Sequence, residues 1–138
     1  MKPEIFPFAP TLPADWQTAL ATIKPPIPKL EAILAWVELD LDANLEFVKS
    51  LLLLTEDGLF WTDGHEFEAW TLEQGERLVH GDHAGVGHLR LEQSDRLLRI
   101  WHYTLAVNPP VLRLQSSFKQ LMKGLTKVLN KGDQGQQE

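Results

Sequence analysis

Ile33-Leu34-Ala35-Trp36-Val37-Glu38-Leu39-Asp40-Leu41-Asp42 is the segment that decides the fold. Ile33, Ala35 and Val37 alternate with Leu34, Trp36 and Glu38, and Leu39 and Leu41 then alternate with Asp40 and Asp42. A period of two puts alternate side chains on opposite faces, so the segment predicts a strand with one buried face. Asp42-Ala43-Asn44 supplies turn residues, and residues 45–55 follow as a second strand. Its unbroken run Leu51-Leu52-Leu53-Leu54 leaves no polar face, which predicts burial on both sides.

Further along, Glu56-Asp57-Gly58 is a hairpin signal before a third strand at 59–62, and Asp63-Gly64 turns the chain into a fourth at 67–72. After a loop near Glu73-Gln74-Gly75, short strands are expected at 77–80, 86–92 and 96–104, the last two joined by Gln93-Ser94-Asp95. About seven short antiparallel strands in meander order predict a mainly β sandwich or barrel. No internal repeat is present.

Two helical patterns flank the strands. Residues 13–23 carry Trp16, Leu20 and Ile23 at helical spacing and stop at Pro25-Pro26-Ile27-Pro28. Ahead of them Pro3, Pro7 and Pro10 predict an irregular arm packed on the main body. At the other end Asn108 is expected as an N-cap before Pro109 and Pro110, and Val111, Leu114, Phe118, Leu121, Leu125 and Val128 form an apolar stripe. The organisation expected is an arm at 1–30, one domain at 31–131, and a polar tail or linker at 132–138, whose composition cannot repay its ordering entropy.

The 138 residues suffice for one core. The absence of cysteine removes disulfides, thiolate nucleophiles and cysteine zinc sites. A net charge of -6 opposes nucleic acid as a partner, because phosphates repel an acidic surface. Charge is unevenly spread: no acid falls between Asp95 and Asp133, a stretch that holds Arg96, Arg99, Arg113, Lys119, Lys123, Lys127 and Lys131. Arg113, Lys119, Lys123 and Lys127 are the candidate interaction surface, facing protein or, peripherally, anionic lipid. Cations toward a helix C-terminus also oppose the macrodipole, so the same residues have a purely structural use.

Candidate chemistry is sparse. His80 and His83, near Asp82 and His88, are the candidates for a metal, but they flank a glycine turn and lack further ligands at metal spacing. Gly85-Val86-Gly87 lacks the third glycine and following helix of a phosphate loop. Asp40-Leu41-Asp42-Ala43-Asn44 begins like a calcium loop but has Leu45 and Leu51 where the turn glycine and bidentate glutamate belong. Ser50, Ser94, Ser116 and Ser117 sit in no nucleophile motif. Glu66 and Glu68 are expected on the solvent side of a strand, opposite Phe67 and Ala69. Trp16, Trp36, Trp61, Trp70 and Trp101 read as core. No catalytic residue and no cofactor are expected.

The strand meander closed by one amphipathic helix is similar to the pleckstrin-homology-like fold, a bent barrel with a helix plugging one end. Leu34-Ala35-Trp36-Val37-Glu38-Leu39-Asp40-Leu41-Asp42, the run from Leu51 to Phe60, Asp82-His83-Ala84-Gly85-Val86-Gly87 and Trp101-His102-Tyr103-Thr104-Leu105 resemble the N-terminal cytosolic region of bacterial ABC exporters found near cyanophycin metabolism genes. The resemblance covers residues 31–125. It implies a non-catalytic regulatory or docking domain of an ATP-binding and permease chain, cytoplasmic and tethered to the inner membrane. Protein partners follow from it, with a stand-alone protein- or ligand-binding module of the same fold as the alternative. No Gly-x-x-x-x-Gly-Lys-Ser/Thr phosphate loop occurs in these residues. The first hairpin carries Asp40, Asp42 and Glu46 where phosphoinositide-binding members of that fold class place cations.

Overall fold

The computed structural model describes residues 12–22, 30–73 and 75–137, with side chains as far as Gly124 except that of Leu30. Strands β1 (Ala35–Leu41), β2 (Phe47–Leu54), β3 (Gly58–Thr62) and β4 (Phe67–Thr71) form one antiparallel meander. β5 (Glu76–His83), β6 (Val86–Gln93) and β7 (Arg96–Thr104) form a second. Helix α1 (Ala14–Thr22) precedes the first sheet, and α2 (Asn108–Gln137) follows the second. The protein is therefore mainly β: seven antiparallel strands in two sheets with a short N-terminal and a long C-terminal helix.

Alternation in β1 buries Ala35, Val37, Leu39 and Leu41. Ala35, Val37 and Leu39 meet Leu59, Leu78, Leu89, Leu91, Trp101 and Tyr103 between the sheets, where Val111, Leu114 and Phe118 of α2 close the layer. The leucine run of β2 divides by parity. Leu52 and Leu54 enter this core, whereas Leu51 and Leu53 face the other side beneath Leu12, Trp16 and Leu20. Each such leucine contributes about 1.5–3 kcal/mol of burial. Helix α1 thus packs on the body, and Trp16 Nε1 donates to Glu38 Oε2 at 2.7 Å.

The expected closed barrel gives way to two separate sheets, with no ladder joining them among the described residues. β1 lies beside β7, but at the end of β7 the Thr104 N–H donates to the Asp40 carboxylate instead of a strand carbonyl. The same contact alters the start of α2. Thr104 is extended and its hydroxyl is spent on Asp40, a 3-10 turn spans Leu105–Val107, and Asn108, expected as a cap, is itself helical at φ -55 and ψ -45.

β5 is longer than its sequence announces, because the turn into β6 is made by Ala84 and Gly85 at φ 54 and 83 rather than by Gly81. Positive φ at both central residues matches the twist of the flanking strands. The backbone of α2 continues to Gln137, through the segment expected as a tail. Expectations for residues 1–11 and 23–29 lie outside the described residues. No helix among the described residues is long and apolar enough to cross a membrane.

Candidate functional site

β5 is the outer strand of its sheet and pairs, among the described residues, only with β6. α2 lies along its other side, and the buried amide of Gln115 donates to the Leu78 carbonyl at 2.8 Å. In an antiparallel strand the N–H and C=O of one residue point the same way. The Gln115 contact therefore marks Glu76, Leu78 and His80 as the residues whose peptide groups face away from β6.

Between this edge and the helix runs a groove of about 780 Å³. Leu78, Val79, Phe118 and Met122 supply its apolar surface, and Arg77, Lys119 and Lys123 bring positive charge. Arg77 also holds Glu92 at 2.8 Å across the strand pair. The one acid lining the groove, Glu76, is buried and already accepts the N–H of Glu73 and the amide of Gln93. The arrangement suits an extended ligand with apolar and acidic side chains.

Lys119 and Lys123, four residues apart, fall on one flank of α2 and both line the groove. Arg113 is exposed but is not part of that lining, and the side chain of Lys127 lies outside the described residues. His80 and His83 sit an odd number of residues apart on β5, so period-two geometry puts them on opposite faces. Among the described residues no group of three or more His, Asp or Glu could hold a metal ion. Asp40 and Asp42 also diverge: Asp40 turns to Thr104, while Asp42 Oδ1 accepts the N–H groups of Asn44 and Glu46, each at 2.9 Å.

Glu68 is exposed, as the strand alternation predicts, and on that side it shares a face with Trp70 and accepts Arg99 Nε at 2.8 Å from the other sheet. The Arg99 guanidinium lies 4.9 Å from the Trp61 ring centroid and 5.4 Å from that of Trp101, and Trp70 meets Trp101 edge-on. A cavity of about 260 Å³ opens beside this cluster, lined in part by Ser50, Asp63 and His102. Trp61 Nε1, Trp101 Nε1 and His102 Nδ1 are buried without a partner among the described residues. The parity of Glu68 with Trp70 was a readable sign of this contact; the pairing with Arg99, 31 residues away, was not.

Partial burial pushes the Asp63 carboxyl up, but the N–H groups of Glu66 and His65 and the charge of His65 outweigh it and hold its pKa below the ordinary value. His88 lies directly opposite His102 across the β6–β7 ladder. Burial, then Arg90 and His102, pull its pKa below the usual imidazole value despite Asp82. Burial and the Asp82 charge raise that of Tyr103.

Against known proteins, no family model, no curated protein and no solved structure matches this chain. The class defined by fold and site is a two-sheet β domain whose C-terminal helix leaves a cationic, apolar-floored groove beside an outer strand.

Proposed function

We propose that the protein is a non-catalytic docking module that seats an extended, acidic and apolar protein segment between β5 and α2. The observation that carries this reading is the groove itself: an outer strand, an apolar floor and the cations Arg77, Lys119 and Lys123 in one place. Strand edges bind extended peptides through main-chain hydrogen bonds, while neighbouring pockets read alternate side chains. The cations select an acidic segment and accelerate its encounter.

In line with its pleckstrin-homology-like resemblance, the domain serves as a regulatory or docking accessory of an ABC exporter chain, held at the inner face of the membrane by the rest of that polypeptide. Fluorescence anisotropy with a panel of labelled extended peptides, apolar residues flanked by Asp or Glu, tests the groove. Binding that weakens with salt and is lost in Lys119→Glu/Lys123→Glu supports the reading; binding by neither protein overturns it. An immunoblot of fractionated native cells tests the context. A membrane-fraction band much larger than 15.7 kDa supports the exporter assignment, and a soluble band near 15.7 kDa replaces it with a stand-alone binding module.

A further inference from the structure

We infer that the segment seated in the groove belongs to a second copy of this chain: the tip of its β1–β2 hairpin. The inference rests on the docking reading above and names its partner. Leu45, Phe47 and Val48 are 49%, 83% and 44% exposed, three large apolar side chains within four residues. Isolated apolar residues on a surface are ordinary, but a contiguous cluster marks a contact site.

The tip is built to be rigid. Asp42 Oδ1 accepts two backbone N–H groups, the Asp42 N–H donates to the Glu46 carbonyl at 2.9 Å, and the Leu45 N–H donates to the Asp42 carbonyl at 3.0 Å. These bonds hold Leu45 at φ 63, a left-handed conformation unfavourable for a leucine. Register then slips: Leu39 faces Ser50 but Leu41 faces Phe47, leaving one extra residue on β2. Such a bulge bends its strand and re-aims side chains. β3 joins β2 only from Leu51, so among the described residues Phe47 pairs with Leu41 alone, and Val48 and Lys49 fall in the bulge. An extended, rigid, half-paired segment carries little ordering cost on binding.

Charge selects the occupant. Asp42 and Glu46 precede Phe47 and Val48 at the tip, with Lys49 following them, and Arg77, Lys119 and Lys123 line the groove. Phe47 fits the apolar floor beside Val79 and Met122 as the acids meet the lysines. Neither surface covers the other within one chain: Phe47 stays exposed, and no tip residue lines the groove. Two different patches meeting head to tail form a heterologous contact, which adds copies into a ring or an open chain rather than stopping at a symmetric pair.

Sedimentation velocity over a concentration series of the 138-residue chain tests this. Association that grows with concentration and weakens with salt is expected. Phe47→Asp and Lys119→Glu/Lys123→Glu should each lower the association constant roughly thirtyfold or more. Phe47 is exposed, so its variant should keep the wild-type circular dichroism and melting temperature, which separates lost contact from lost fold. The decisive sample mixes the two variants. One keeps its groove and the other its hairpin, so the mixture should form a one-to-one dimer that neither forms alone. A wild type that stays monomeric, association that survives Phe47→Asp, or a mixture without dimer overturns the inference. A monomeric wild type that still binds acidic peptides through Lys119 and Lys123 overturns the second copy alone; loss of peptide binding as well overturns the groove too.

Discussion

Asp40 on β1 and Thr104 at the end of β7, 64 residues apart, are joined by two hydrogen bonds: the Thr104 N–H donates to Asp40 Oδ1 at 2.8 Å, and its hydroxyl donates to Oδ2. One carboxylate thus ties the two sheets where, among the described residues, no ladder does, and it sets the start of the chain's path into α2. Asp40→Ala strands both donors, so it should cost about 1–3 kcal/mol by urea denaturation. Thr104→Val removes only the hydroxyl and should cost less. The double variant should lose less than the two single losses together, since both act on one contact.

Gln115 is a buried amide whose donor ends on the Leu78 carbonyl. Gln115→Leu keeps the volume but leaves that carbonyl unsatisfied against α2. A loss of about 1–3 kcal/mol is expected. Hydrogen exchange should accelerate more in β5 than in β1–β4, because only the β5 edge loses its support.

Gly87 lies under the Tyr103 ring, whose nearest atom would stand 2.2 Å from an added Cβ. Tyr103 is fully buried and its ring has nowhere to retreat. Gly87→Ala should therefore cost about 1–3 kcal/mol by overpacking. Gly85→Ala, with open space around it but φ +83, should cost less, through backbone strain alone. Melting temperatures of the two variants side by side check the order.

Burial, Arg90 and His102 depress the His88 pKa in the folded state. Between that depressed value and about 6.5, the unfolded chain binds more protons than the native one, so stability rises with pH there and is lost as pH falls through the window. Urea midpoints at about pH 7.5 and about pH 5.5 should differ, and His88→Gln should shrink the difference. An unchanged difference in His88→Gln would assign the dependence to other groups.

Strand after strand was legible because burial has a period. The alternation of β1, the two-faced leucine run of β2 and the apolar stripe opening α2 each follow from where water is excluded. Lys119 and Lys123 were legible as neighbours on one flank of α2 because helical spacing put them together. Arg77 was not, since its place beside them depends on α2 crossing β5, which no local pattern encodes. The Glu68–Arg99 pair was not legible for a related reason: a strand near the open edge has no continuous buried face, and Phe67 and Trp70 pack on opposite sides.

The sequence by itself determined the strand order along the chain, the helix at each end and the side of each well-patterned element that meets the core, because those are set by nearest neighbours and hydrophobic period. Only the tertiary structure decided that the sheets stay separate, that Asp40 rather than a ladder ties them, that Arg99 lies between Trp61 and Trp101, and that the groove and the bare hairpin tip exist. Each of these depends on which side chains meet across long loops. Such meetings are settled by the packing of whole layers, a property of the folded chain and of no single segment in it.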